Sequence, residues 1–113
     1  YLRAARRVDA FIAELWSMLQ SHPDYRGKTT MIVTTDHGRG RTVDDWSAHG
    51  ADVAGAEEMW LAVIGPDTPA LGERTGAAPV IQSQIASTIA AFLGFDYRGE
   101  VRGVAPAIGD VMR

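Results

Sequence analysis

The chain of 113 residues contains no cysteine, which excludes disulfides, zinc–thiolate sites and thiol nucleophiles. It has no apolar run near the roughly 20 residues that a bilayer span requires. There is no excess of positive charge either: 11 Lys and Arg against 14 Asp and Glu leave a net charge of −3. Apart from Arg3, Arg6 and Arg7 the basic residues are dispersed, so no nucleic-acid-binding surface is evident. Internal repeats and low-complexity segments are absent. So are a phosphate-cradling Gly-rich loop with lysine, a Gly-x-Ser-x-Gly elbow and a Cys/His cluster.

What remains is an ordinary globular balance, with 46% hydrophobic and 22% charged residues, enough for one small domain with a thin core. The chain opens at Tyr1 rather than Met and runs straight into a helical pattern. It is therefore expected to be a segment of a longer polypeptide.

The spacing predicts an amphipathic helix over 2–20. Ala5, Val8, Ile12, Leu15 and Leu19 recur at intervals of three and four, which stacks them on one face, with Phe11, Trp16 and Met18 widening it. Pro23 disfavours helical geometry at His22 and ends the helix. Residues 29–35 are rich in β-branched side chains and read as a strand. Residues 41–56 are polar, glycine-containing and without period, a length of loop that is often functional. Residues 58–64 read as a second strand, almost continuously apolar, as suits a strand covered on both faces. Residues 66–79 are loop. Residues 81–93 read as a second helix with Ile81, Ile85, Ile89, Phe92 and Leu93 on its inner side and Gly94 at the C-terminal cap. The apolar cluster Val101, Val104, Ile108 and Val111 suggests a short edge strand and a turn. Alternating helix and strand indicate an α/β layer structure. Two strands do not make a stable sheet alone, so further strands are expected from outside these residues.

Asp36-His37-Gly38, at the end of the first strand, is the strongest chemical signal. Adjacent strand residues face opposite ways, so Asp36 and His37 meet at one cation only where the backbone leaves strand geometry. Gly38 and Gly40 permit that departure. A carboxylate and an imidazole suit a divalent ion such as zinc. Ligand sites of open α/β sheets also gather at the carboxyl ends of strands. The same dipeptide equally serves as a plain loop-capping turn. His49 follows His37 by 12 residues, and that loop length allows its return to the same cleft. Asp45 is placed to orient His49 as an outer-shell carboxylate, or is simply solvated. Arg39 and Arg41 flank the pair as contacts for an anionic substrate, or as surface arginines. Glu57 and Glu58 read as a solvated pair, Trp60 as core, Trp46 as a packing residue of the loop. His22 is assigned no chemistry.

Thr34-Thr35-Asp36-His37-Gly38, following a β-branched strand and an amphipathic helix, resembles the signature of the alkaline phosphatase superfamily. That group includes type I phosphodiesterases/nucleotide pyrophosphatases, sulfatases and cofactor-independent phosphomutases. His49-Gly50 resembles the family's later histidine ligand, the strand from Trp60 to Pro66 the one that follows, and residues 84–94 its late helix. The resemblance runs in order over residues 1–94. It implies a three-layer α/β/α domain, of which residues 1–113 would be a single C-terminal segment. It implies two divalent metals, zinc first and manganese as the alternative. Asp36 and His37 would bind one metal and His49 the other. The pair would activate a nucleophile and stabilise in-line displacement at phosphorus. The family's nucleophile and its remaining Asp and His ligands lie upstream of the motif, and nothing before Asp36 matches them. No catalytic nucleophile and no organic cofactor site are therefore assigned. A histidine at 49, where sulfatases place a lysine, resembles the two-metal phosphoesterases. The expected substrate is an anionic ester, a phosphodiester or phosphomonoester. A sulfatase or phosphomutase on the same scaffold and a non-catalytic interaction module are the competing readings. An exposed half-sheet is further expected to recruit a second copy through its open edges.

Overall fold

Pro23 decides where the first helix stops. In the computed structural model, which describes residues 1–113, helix α1 spans Leu2–Ser21. Its C-cap His22 is extended at φ −86°, ψ 127°, as the residue before a proline must be. The expected apolar stripe is present, but no residue of α1 is buried. Ile12, Leu15, Trp16 and Leu19 are half-covered, while Val8, Phe11 and Met18 are exposed. No helix is long and apolar enough to cross a membrane.

The chain divides into two compact units, one of residues Met31–Ile64 and one of Tyr1–Thr30 with Gly65–Arg113. In the first, β1 (Met31–Thr34) pairs antiparallel with β2 (Leu61–Ile64) in the register Met31↔Ile64 to Thr34↔Leu61. Both strands are shorter than the β-rich runs that encode them. The protein is thus a small mixed helix–strand structure with a two-stranded antiparallel sheet. Along β2, Leu61 and Val63 are half-covered while Ala62 and Ile64 are exposed. The expectation of a strand covered on both faces is corrected: within this chain one face alone has neighbours. Trp60, expected in the core, is 55% exposed for the same reason. The Thr34 hydroxyl donates to the Trp60 carbonyl at 2.8 Å, closing the strand end.

In the second unit, α2 spans Gln84–Phe92 and ends as Gly94 predicts. Gly94 adopts φ +79°. The Phe95 N–H donates to the Ala90 carbonyl at 2.9 Å and the Gly94 N–H to that of Ala91 at 3.0 Å. This is the paired hydrogen bonding of a Schellman cap, which glycine enters without a Cβ penalty. The face that α2 buries is the polar one. Ser87 and Thr88 are 3% and 1% exposed, whereas Ile81, Ile89 and Leu93 are 45% exposed or more. The reason lies in the tail. The Ser87 hydroxyl donates to the Ala105 carbonyl at 2.6 Å, the Gln84 amide to that of Pro106 at 3.1 Å, and the Ile108 N–H to the Thr88 hydroxyl at 3.0 Å. The last apolar cluster is no edge strand. After a short helix α3 (Tyr97–Glu100), it lies on an irregular strap that ends in a 3₁₀ turn over Gly109–Val111. Strap hydrogen bonds to side chains replace the sheet ladder that the apolar spacing suggested. Ala56 and Ile108 are the only buried apolar residues, a far thinner core than 113 residues ordinarily gather.

Candidate metal centre

Beyond Thr34 the backbone leaves the sheet and runs beside the segment that leads into β2. The Gly38 N–H donates to the Ala56 carbonyl at 2.7 Å, the Arg39 N–H to Gly55 at 3.0 Å and the Gly40 N–H to Ala48 at 3.0 Å. Glycine is required here by space. A Cβ on Gly38 would overlap the carbonyl oxygens of Gly55 and Glu58, and one on Gly40 would overlap Asp45. Neither Gly38 nor Gly40 has a positive φ; Gly55, on the opposite strand of this crossing, does at +98°. The expectation that Gly38 and Gly40 supply unusual backbone angles is therefore corrected: they supply close approach.

This crossing sets the two candidate ligands. The Asp36 carboxylate is oriented by one oxygen, Oδ1, which accepts the His37 N–H at 3.0 Å. Its other oxygen, Oδ2, lies 3.5 Å from His37 Nε2. On the far side of the ring, His37 Nδ1 sits 2.6 Å from the Gly38 carbonyl oxygen. A carbonyl only accepts, so Nδ1 carries the hydrogen and Nε2 is the nitrogen turned toward the carboxylate. With its lone pair on Nε2, the ring and the carboxylate face one another across a gap of the size that a cation spans. With ligand bonds near 2.1 Å, two donors of a tetrahedral shell are separated by about 3.4 Å. An imidazole that ligates through one nitrogen while donating from the other to a carbonyl is the usual outer-shell arrangement of a metal site.

His49 joins this pair by stacking. Its ring lies over that of His37 with centroids 4.2 Å apart and planes 22° from parallel. Imidazole lone pairs lie in the ring plane, so the two rings do not aim at one point. They lie in neighbouring layers, at a spacing close to the roughly 3.5–4 Å between the ions of two-metal sites. The structure thus brings Asp36, His37 and His49 into one cluster. No group of three or more His, Cys, Asp or Glu side chains is arranged to hold a metal by itself. The donor set fits part of a metal shell and does not close one.

Comparison with protein-family models, with curated proteins and with solved structures finds no match to this chain.

Other expected roles move. Asp45 does not orient His49. Its Oδ1 accepts the Thr42 N–H at 2.7 Å while the Asp45 N–H donates to the Thr42 hydroxyl at 3.3 Å. That is a capping box, legible in the spacing of Thr42-Val43-Asp44-Asp45 and overlooked in favour of the nearby histidine. Hydrogen bonding from the Thr42 side chain, then from its backbone, holds the Asp45 carboxyl below its ordinary range. Glu58 is no solvated partner of Glu57: it pairs with Arg41, whose pKa is raised first by that hydrogen bond and then by the charge of Glu58. Glu57 accepts the Gly55 N–H at 2.9 Å and is pushed below its ordinary range by its own backbone N–H and that of Gly55. Arg41 and Glu58 are 17 positions apart, and no sequence signal joins them. The Arg39 guanidinium carbon lies 3.1 Å above the centroid of Trp46, a cation–π stack that holds the loop near the histidines. Neither arginine stands open as an anion contact. His22 keeps to a local role, with its ring 5.0 Å from Tyr25.

Proposed function

We propose that this chain supplies part of the metal centre of a two-metal phosphoesterase of the alkaline phosphatase superfamily, as a C-terminal segment of a three-layer α/β/α domain. One observation carries the reading. His37 Nε2, with Nδ1 turned to the Gly38 carbonyl, faces Oδ2 of Asp36 at 3.5 Å. A divalent ion seated between them would use both groups. In this reading Asp36 and His37 hold one ion and His49 the other, zinc first and manganese as the alternative. The ions lower the pKa of the attacking group and neutralise charge as an in-line displacement proceeds at phosphorus. The substrate is an anionic ester, a phosphodiester or phosphomonoester.

Two four-coordinate ions require about eight donor positions between them, and three side chains cannot fill these. The remaining ligands and the nucleophile come from polypeptide outside these residues. The hydroxyls closest in sequence do not supply the nucleophile. Thr34 donates to backbone carbonyls, and the Thr35 hydroxyl is buried. Histidine rather than lysine at 49 favours the phosphoesterase over the sulfatase branch.

The test is calorimetry of the 113-residue chain with zinc. The wild type binds weakly through its partial shell. Asp36→Ala and His37→Ala each lower the affinity about tenfold or more, with unchanged far-UV circular dichroism. Equal affinity in all three proteins rejects the assignment.

A further inference from the structure

A second surface stands apart from the histidine cluster. Because the tail straps the polar side of α2, the apolar side is left open. With the residues that follow the Schellman cap it forms a cavity of about 590 Å³. Ile89, Leu93, Phe95 and Tyr97 line it, and Asp96 and Glu100 also border it. Glu100 has no cationic partner within the chain. Within the same unit, α1 is a helix of 20 residues with none buried. Arg3, Arg7 and Phe11 succeed one another at four-residue steps and so lie along one line of its surface. Phe11 is 65% exposed, and Arg3, Arg6 and Arg7 form no ion pair.

We infer that two copies of this chain pair reciprocally, α1 of each lying in the α2–α3 groove of the other. The groove is apolar with carboxylates at its border; the helix is apolar with unpaired guanidinium groups beside its stripe. Each offers what the other lacks. A helix of this length gains most of its stability from a packed face. Exchange about a two-fold axis covers both helices and both grooves at once, and the assembly closes as a dimer. The contact lies on the helices rather than on the sheet edges to which the bare strands first direct attention. It is independent of metal binding.

Charge reversal and mixing test the pairing. In sedimentation velocity the wild type shows a monomer–dimer equilibrium that weakens as salt rises. The double variant Arg3→Glu/Arg7→Glu and the single variant Glu100→Arg each associate about tenfold more weakly. Neither endangers its own helix, since acidic residues suit the start of α1 and a basic residue the end of α3. Mixing the two variants restores the dimer, because in the heterodimer each reversed helix meets a reversed groove and each native helix a native one. A wild type that stays monomeric overturns the inference. So does association that both variants leave unchanged, which places the contact elsewhere, for instance on the sheet edge. So does a mixture no tighter than its components.

Discussion

The rings of His37 and His49 lie one over the other, 4.2 Å between centroids and 22° between planes, although they are 12 positions apart in the chain. The loop between them is tied at several points: the Thr42–Asp45 box, the Arg41–Glu58 pair, the stack of Arg39 on Trp46, and the Gly40 N–H on the Ala48 carbonyl. Each tie is modest; together they return His49 to His37. The stack has two separable contributions, support of the His37 ring and a second nitrogen donor.

Substituting His49 by Phe separates those contributions. An aromatic ring still supports His37 but offers no lone pair. In the proposed centre, His49→Phe retains zinc affinity at the Asp36–His37 pair and loses any second equivalent, whereas His49→Ala weakens both. Titration calorimetry of the two variants reads stoichiometry and affinity together. Identical behaviour of Phe and Ala would remove the support role.

Gly38→Ala places a methyl group against backbone oxygens of Gly55 and Glu58, atoms that no rotamer change can move. A loss of about 2–3 kcal/mol of stability is expected, as for overpacking at a closed site, and zinc affinity falls with it. Gly109→Ala is the matched control, because its Cβ would meet nothing within 4 Å. Urea unfolding of both variants followed by circular dichroism checks the contrast. Equal stabilities would mean that the crossing at Gly38 is looser than its geometry requires.

Acid should loosen the histidine loop from its capping box. The Asp45 carboxyl sits below its ordinary value of 3.8 and that of Glu57 below 4.5. A depressed carboxyl contributes stability that is fully present above the ordinary value and is lost as pH falls through the depressed one. The loop therefore has their full support at neutral pH, is insensitive to pH there, and loses that support only in acid below about pH 4. Thr42→Ala removes the largest cause of the Asp45 shift. A carbon-detected NMR titration should find the Asp45 carboxyl titrating at higher pH in that variant than in the wild type. Coincident curves would dismiss the box as its source.

Much of the scaffold was legible because it is local. The period of α1, the β-branched run of β1, the apolar run of β2 and the glycine that ends α2 each act through the few residues beside them. Asp36, His37 and His49 were legible as candidates for a related reason: few residue types ligate metals, and a chain without cysteine offers few others; the structure shows that the three are neighbours. The tail misled because Val101, Val104, Ile108 and Val111 carry an apolar signal without saying what receives it. The roles of Asp45 and Glu58 misled because proximity along the chain was read as proximity in space.

Residue order alone was enough to place α1, the two strands and α2 to within a few residues and to mark the glycine stop of α2. Those outcomes depend on backbone torsions and side-chain chemistry that each short stretch carries with it. Folding in three dimensions settled the rest: that α2 buries its hydroxyls and bares Ile89, that Gly38 is needed for clearance and not for torsion, and that two imidazoles stack rather than converge. Such outcomes arise between atoms distant along the chain, where steric exclusion and hydrogen-bond satisfaction choose among arrangements that local preference leaves equal.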